Sequence, residues 1–412
     1  MKIPRTRIVS AGDKFPAFAL PRDIWVLGVG SLFMDMSSEL IHCLLPLFMA
    51  SGLGASMVTI GLVEGIAEAT AAVTKVFSGS LSDWLGKRKF LMVLGYGVAA
   101  LTKPVFPLSS SVAWVLGARV VDRLGKGIRG APRDALVADI TPPPLRGAAY
   151  GLRQALDSVG AFAGPLLAVA GMAWFANDFR AAMWLAVPPA FIAVALLLRY
   201  VREPEAKEPG AAVQEPLALR DAWRLPQRFW WVVLLGAVFT LARFSEAFLV
   251  LRAQSVGFDL MLIPLVMVVM NVFYALCAYP AGAAADRHRP RTLLLVGLMV
   301  LIASDLLLAV AAGPALVLVG AALWGIHMAL TQGLLAKLVA DTAPVRLRGT
   351  AFGIFNLVSG GALLAASAFA GVLWSALGAP ATFVAGAAFA GIAAAGLLAY
   401  RAAPSGGTDS AA

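Results

Sequence analysis

The stretch that most restricts what this chain can fold into is Ala118–Asp134, a charged run inside one long apolar segment. It holds Arg119, Asp122, Arg123, Lys126, Arg129, Arg133 and Asp134, which at about 100° per residue fall on an arc of roughly 140° of a helix. The rest of its circumference is Val, Leu, Gly, Ile and Ala. Charged residues make up 14% of the 412, against about 25% in soluble domains, so composition places the chain in a membrane. A charge at mid-bilayer is costly, so the stripe must face other protein or a water-filled cavity.

Apolar runs long enough to span, ~20 residues each, fall at about 24–48, 55–77, 89–110, 112–137, 147–173, 179–200, 229–251, 259–283, 292–312, 315–340, 350–376 and 379–400. The expectation is an all-α integral membrane protein with twelve transmembrane helices. The connecting loops alternate in charge. One set carries Lys87, Arg88, Lys89, Arg146, Arg287, Arg289, Arg291, Arg346, Arg348 and Arg401; the other is short and nearly uncharged, as at Ser51–Ala55. The positive-inside rule then puts both termini in the cytoplasm and the chain in the inner (cytoplasmic) membrane. Residues 1–23 read as a cytoplasmic segment, 24–200 as one six-helix bundle, 201–228 as a polar cytoplasmic linker, 229–400 as a second bundle and 401–412 as a tail. The first apolar run begins only after residue 23 and contains Asp35 and Glu39, so no cleavable signal peptide is expected. The net charge of +10 sits mostly in loops and gives no nucleic-acid face. Cys43 and Cys277 both lie in apolar helices and read as packing residues.

The halves repeat. Val137-Ala-Asp139-Ile-Thr-Pro142-Pro-Pro-Leu145-Arg146-Gly147-Ala-Ala-Tyr-Gly151 recurs as Val339-Ala-Asp341-Thr-Ala-Pro344-Val-Arg-Leu347-Arg348-Gly349-Thr-Ala-Phe-Gly353, and Gly79-Ser-Leu-Ser-Asp83 as Gly282-Ala-Ala-Ala-Asp286. Two six-helix halves in the same orientation imply a parallel repeat, with substrate held between them near the midplane and released by rocking.

At these residues the chain resembles the major facilitator superfamily, from the first helix to the twelfth. Gly79-Ser-Leu-Ser-Asp83-Trp-Leu-Gly86-Lys87-Arg88-Lys89 is similar to that family's signature between helices two and three. By that resemblance Gly79, Asp83, Gly86, Lys87 and Arg88, with Gly282, Asp286 and Arg287 in the second half, belong to loops that gate the conformational change. Arg119-Val-Val-Asp122-Arg123-Leu-Gly125 is similar to the fourth-helix signature, with Asp122-Arg123 where Gln-Gly is usual. The resemblance implies that Arg119 tunes a neighbouring acid in proton coupling. Gly160-Ala-Phe-Ala-Gly164-Pro165 resembles the helix-five pattern of exporters, proton antiporters above all, although the trailing glycine pair is replaced by Ala168 and Val169. Plain helix packing accounts for the same small residues.

Helix one carries Asp35, Glu39 and His42 on one face, helix two Glu64, Glu68 and Lys75, and helix five Arg153 and Asp157. With the fourth helix this sets seven acids against seven bases, a balance that also suits an ion-pair network holding the bundle together. Asp35 or Glu39 with Arg119 is the expected proton-coupling set, and Glu64 and Glu68 are further candidates: an acid beside a movable Arg can load and release a proton. The candidate cavity residues are His42, Asp122, Arg123, Lys126, Arg153, Asp157, Arg243, Glu246, Asn271 and His327. Arg243 and Glu246, three apart, can instead simply pair, and His327 suits a hydrogen-bonded helix contact or a pH-sensitive group. The second half is otherwise plain.

The leading expectation is proton-coupled export of a small organic molecule by alternating access, with the proton gradient as driving force and no cofactor. The alternative is a permease or exchanger for an organic anion or phosphate ester, gripped by the basic stripe. Transport of a divalent metal, with His42, Glu39 and Asp35 converging, is a lesser alternative, since one helix rarely completes a site. So is a non-transporting sensor whose partner binds the linker. Neither His-Glu-x-x-His nor Gly-x-Ser-x-Gly occurs, so no enzyme is expected. The expected partners are substrate, protons and the bilayer, and the expected state is a monomer.

Overall fold

A backbone in hydrocarbon has no water to bond to, so each apolar run satisfies its own amides as helix. The computed structural model describes residues 20–85, 87–142, 145–203, 225–287, 290–344 and 347–399. The first half contains α1 (Arg22–Leu47), α2 (Met57–Leu85), α3 (Arg88–Thr102), α4 (Val105–Leu108), α5 (Val112–Ile140), α6 (Arg146–Trp174), α7 (Phe179–Trp184) and α8 (Val187–Tyr200). The second contains α9 (Gln227–Ala242), α10 (Ala247–Ser255), α11 (Leu265–Arg287), α12 (Pro290–Val310), α13 (Pro314–Thr342), α14 (Arg348–Leu377) and α15 (Ala379–Ala399). Ten crossings are long and apolar enough to span a membrane on composition alone; α5 and α11 complete the twelve.

Several crossings are built differently from the uninterrupted helices expected. The third breaks before Val105, where Pro104 supplies no N–H. The sixth divides just ahead of Pro188 and Pro189, which suit the first turn of α8. The seventh breaks at Arg243–Glu246. There the Ser245 N–H donates to Ser367 Oγ at 3.2 Å and the Ala247 N–H to Ser245 Oγ at 3.3 Å. Side chains thus take up donors that the interrupted helix leaves free. Phe244, inside this break, packs against Phe248, Trp324 and Phe383. Gly79 and Asp83 belong to α2 and Gly282, Asp286 and Arg287 to α11, because both helices run on past their apolar stretches. Gly86 lies outside the described residues, as do the side chains of Asp83, Asp286 and Arg287.

We call the end where α8 and α9 meet segment 201–228 the linker side. On the opposite side one apolar core runs across both halves, with Leu44, Phe48 and Met49 joined to Phe248, Leu251 and Phe258. On the linker side separate clusters form, one around Leu27, Tyr96 and Leu197 of the first half and one around Phe229, Val339 and Ile354 of the second. The bundle is therefore sealed on the far side and parted on the linker side.

Candidate functional site

The gap on the linker side is a cavity of about 420 Å³. The first half lines it with Asp35, Glu39, Glu68, Lys75, Lys126, Arg129, Arg133, Asp134 and Asp157; the second contributes Thr240, Arg243, Asn356, Ser359, Gly360 and Leu363. The charged stripe of α5 faces this cavity and the helices around it.

The stripe is met by acids in register. α2 and α5 both run from the far side to the linker side, so residues four apart on each keep step. Arg119 grips Glu64 through both Nη2 (2.7 Å) and Nε (3.3 Å), with the two side chains 1% and 0% exposed. One turn on, Arg123 pairs with Glu68 at 3.0 Å. Nearer the linker, Arg129 stands 3.6 Å from Asp35 and lies over the Tyr96 ring at 4.6 Å. Arg133 donates to Ser31 Oγ at 2.8 Å and lies 3.5 Å from Asp134 and 3.9 Å from Asp157. Arg153 pairs with Asp157 at 2.9 Å and reaches Asp134 at 3.6 Å. Arg88 holds Asp139 at 2.9 Å beneath the bundle.

Three expectations are corrected. Arg119 does not sit with Asp35 or Glu39; its carboxylate is Glu64, which α2 presents at the same depth. Arg243 and Glu246 do not pair, because the helix breaks between them and the i,i+3 geometry is lost. The balance of seven acids and seven bases omits Lys103, which is 0% exposed and 2.8 Å from Asp122. Lys103 also donates to Ser38 Oγ at 3.0 Å, and the Thr102 hydroxyl reaches the same carboxylate at 3.4 Å. Arg252, a buried cation of the second half, spans the carbonyls of Leu308, Ala309 and Ala311.

His42 lies behind the cavity-lining Glu39, with Nδ1 3.4 Å from Glu39 Oε2 and Nε2 3.6 Å from Glu64 Oε2. Among the described residues no group of three or more His, Cys, Asp or Glu is arranged to hold a metal ion. Asn271 donates to the Ala161 carbonyl across the halves at 3.2 Å, and His327 Nδ1 meets the Gly297 carbonyl at 2.8 Å, buried between helices. Asp305 lies buried with neither carboxyl oxygen partnered. Gly160 and Gly164 sit where α6 presses on α1: a methyl group there would come 2.5 Å from the Leu32 and Met36 carbonyl oxygens respectively. Packing therefore accounts for the pattern that ends at Pro165.

Lys75, Lys126 and Arg243 have no ion-pair partner among the described residues, although all three line the cavity. Of the acids that line it, Asp35, Glu68, Asp134 and Asp157 each have an arginine within 4 Å, and Glu39 has only His42.

Residues 27–271 and 244–411 match the family model described as Major Facilitator Superfamily. An uncharacterized MFS-type transporter of Methanocaldococcus jannaschii is 32% identical over 364 residues, covering 86% of this chain and 89% of the relative. An uncharacterized protein of Mycobacterium tuberculosis is 29% identical over 368 residues, covering 88% and 89%. Among solved structures, a bacterial homolog to the human lysosomal transporter Spinster, inward-facing and occupied, superposes with a TM-score of 0.75 at 16% identity, covering 94% and 97% of the two chains.

Proposed function

This chain belongs to the major facilitator superfamily as a secondary transporter, and we propose that it carries a small organic anion across the cytoplasmic membrane by alternating access, with protons as the coupled ion. The observation that carries this reading is the trio Lys75, Lys126 and Arg243, cations that line the cavity with no acid within ion-pair distance among the described residues. A low-dielectric cleft lined by uncompensated charge of one sign concentrates ligands of the other. Lysine and arginine both bond carboxylate and phosphate oxygens, arginine in two-pronged fashion. Lys75 and Lys126 belong to the first half and Arg243 to the second, so cargo held by all three touches both bodies that must rock. The linker side, which carries Lys87, Arg88 and Lys89, is proposed to be cytoplasmic.

This favours the permease or exchanger reading over export of a lipophilic cation. Export draws its support from the Gly160–Pro165 resemblance, and the contact of α6 with α1 supplies another reason for those glycines. The test is transport by purified protein in vesicles carrying a pH dye, challenged separately with organic acids, phosphate esters, lipophilic cations and divalent metals. Movement of an acid or ester pool, competed by simple anions, is the expected result. Proton exchange driven by the cation pool alone would sink the proposal.

A further inference from the structure

Proton coupling needs a group that can gain and lose a proton without dismantling the bundle, and most acids around the cavity are ill placed for that. Glu64 is gripped by Arg119 through two nitrogens, Glu68 is held by Arg123, and Asp157 by Arg153. Glu39 is different: it lines the cavity, and among the described residues the only group with a basic nitrogen within ion-pair distance is His42.

His42 stands between two carboxylates, with Nδ1 toward Glu39 and Nε2 toward Glu64. A neutral imidazole has one N–H and one lone pair. Whichever nitrogen bears the hydrogen, the other aims its lone pair at a carboxylate oxygen, an arrangement that repels. One added proton removes the conflict. Imidazolium then neutralises Glu39 while Arg119 neutralises Glu64, and every charge in the row is matched. The side chains also grade inward, with Glu39 21%, His42 11% and Glu64 0% exposed, so a proton entering from the cavity meets Glu39 first. The charged groups facing His42 are Glu39 on its own helix, Glu64 and Glu68 on α2, Arg119 on α5 and Glu246 at the start of α10.

Resting on the anion-transport reading above, we infer that His42, set between Glu39 and Glu64, carries the coupled proton, and that proton and anion load together. The second half follows from charge: the proton adds one positive charge to a wall that already attracts the anion, so each favours binding of the other, reciprocally. Coupling of that sense moves proton and anion in the same direction.

The test reads His42 first and cargo second. The chain has three histidines, so ¹⁵N-imidazole NMR of the full-length protein, compared with His42→Gln, isolates the His42 signal. A titration step within the pH range over which the protein stays folded is expected, displaced in Glu39→Gln, which reads the same site where His42→Gln lowers the yield of folded protein. No step in that range would overturn the inference. In vesicles given succinate or inorganic phosphate, wild type takes up protons with the probe. In His42→Gln the protons carried per labelled probe fall, and the fall in apparent affinity of about tenfold per pH unit above the step is lost. Undiminished proton uptake in His42→Gln would also overturn it. A clear His42 step with no response to any anion would instead defeat the anion reading and leave the proton site standing.

Discussion

Lys103 Nζ stands 2.8 Å from Asp122 Oδ1, and both side chains are shut off from their surroundings, 0% and 3% exposed. The pair lies beside the stripe, about one turn in from Arg119, and Ser38 supplies a further acceptor to the ammonium. Replacing Lys103 with Met leaves a buried carboxylate unmatched, which costs about 3–5 kcal/mol. Thermal unfolding in detergent should show that loss, and Lys103→Met with Asp122→Leu should recover most of it. A single variant as stable as wild type would mean that the pair is dispensable.

Lys126→Gln and Arg243→Gln each remove a cation that has no acid within 4 Å among the described residues. Weaker binding of the anion by roughly tenfold or more is expected for each, the size of one lost charge-assisted hydrogen bond, with folding stability little changed. Equilibrium binding at low and high salt checks this. Arg119→Gln should behave oppositely, lowering stability sharply because Glu64 is left buried without its partner.

Gly164→Val should force α1 from α6. The first atom of the new side chain would fall 2.5 Å from the Met36 carbonyl oxygen and 2.9 Å from Glu39 Cβ. A destabilisation of about 1–3 kcal/mol is expected, with slower transport because Glu39 moves with its helix. Gly391→Val, which meets nothing within 4 Å, is the control; equal effects of the two changes would count against the packing role.

On the far side Gln254 Nε2 donates to Ser51 Oγ at 2.7 Å, joining the two halves. Alternating access requires this contact to part. Bridging Ser51→Cys and Gln254→Cys with a short cleavable thiol cross-linker should stop transport, and cleaving it should restore the rate. Continued transport with the bridge in place would argue against opening at this point.

The twelve crossings were legible because the bilayer demands ~20 apolar residues from each and the sequence shows them directly. The stripe was legible for the same reason, since Arg119, Arg123 and their neighbours have no place in lipid. What sequence could not supply was which acid meets which base. Asp35, Glu39, Glu64 and Glu68 share one depth range, and only the rotation of α1 and α2 about their axes decides that Glu64 meets Arg119 and Asp35 meets Arg129. Lys103 carries no signal like that of the stripe, because it stands between α3 and α4 with no second charge at helical spacing beside it. The break at Arg243–Glu246 had no proline or glycine to announce it; its donors are satisfied by Ser245 and by Ser367, far along the chain.

The charges of α5 also govern how the chain is made. This helix is not apolar enough to enter lipid by composition, and it leaves the ribosome after α1 and α2. Its insertion is therefore expected to lean on Glu64 and Glu68 of α2, a helix apolar enough to cross without it. The crossings that meet α5 are then expected to leave the insertion machinery together, whereas those of the second half other than α11 are apolar enough to be released singly. A nascent chain halted between α2 and α5 would expose unmatched carboxylates to the quality-control proteases; one halted at the linker would not.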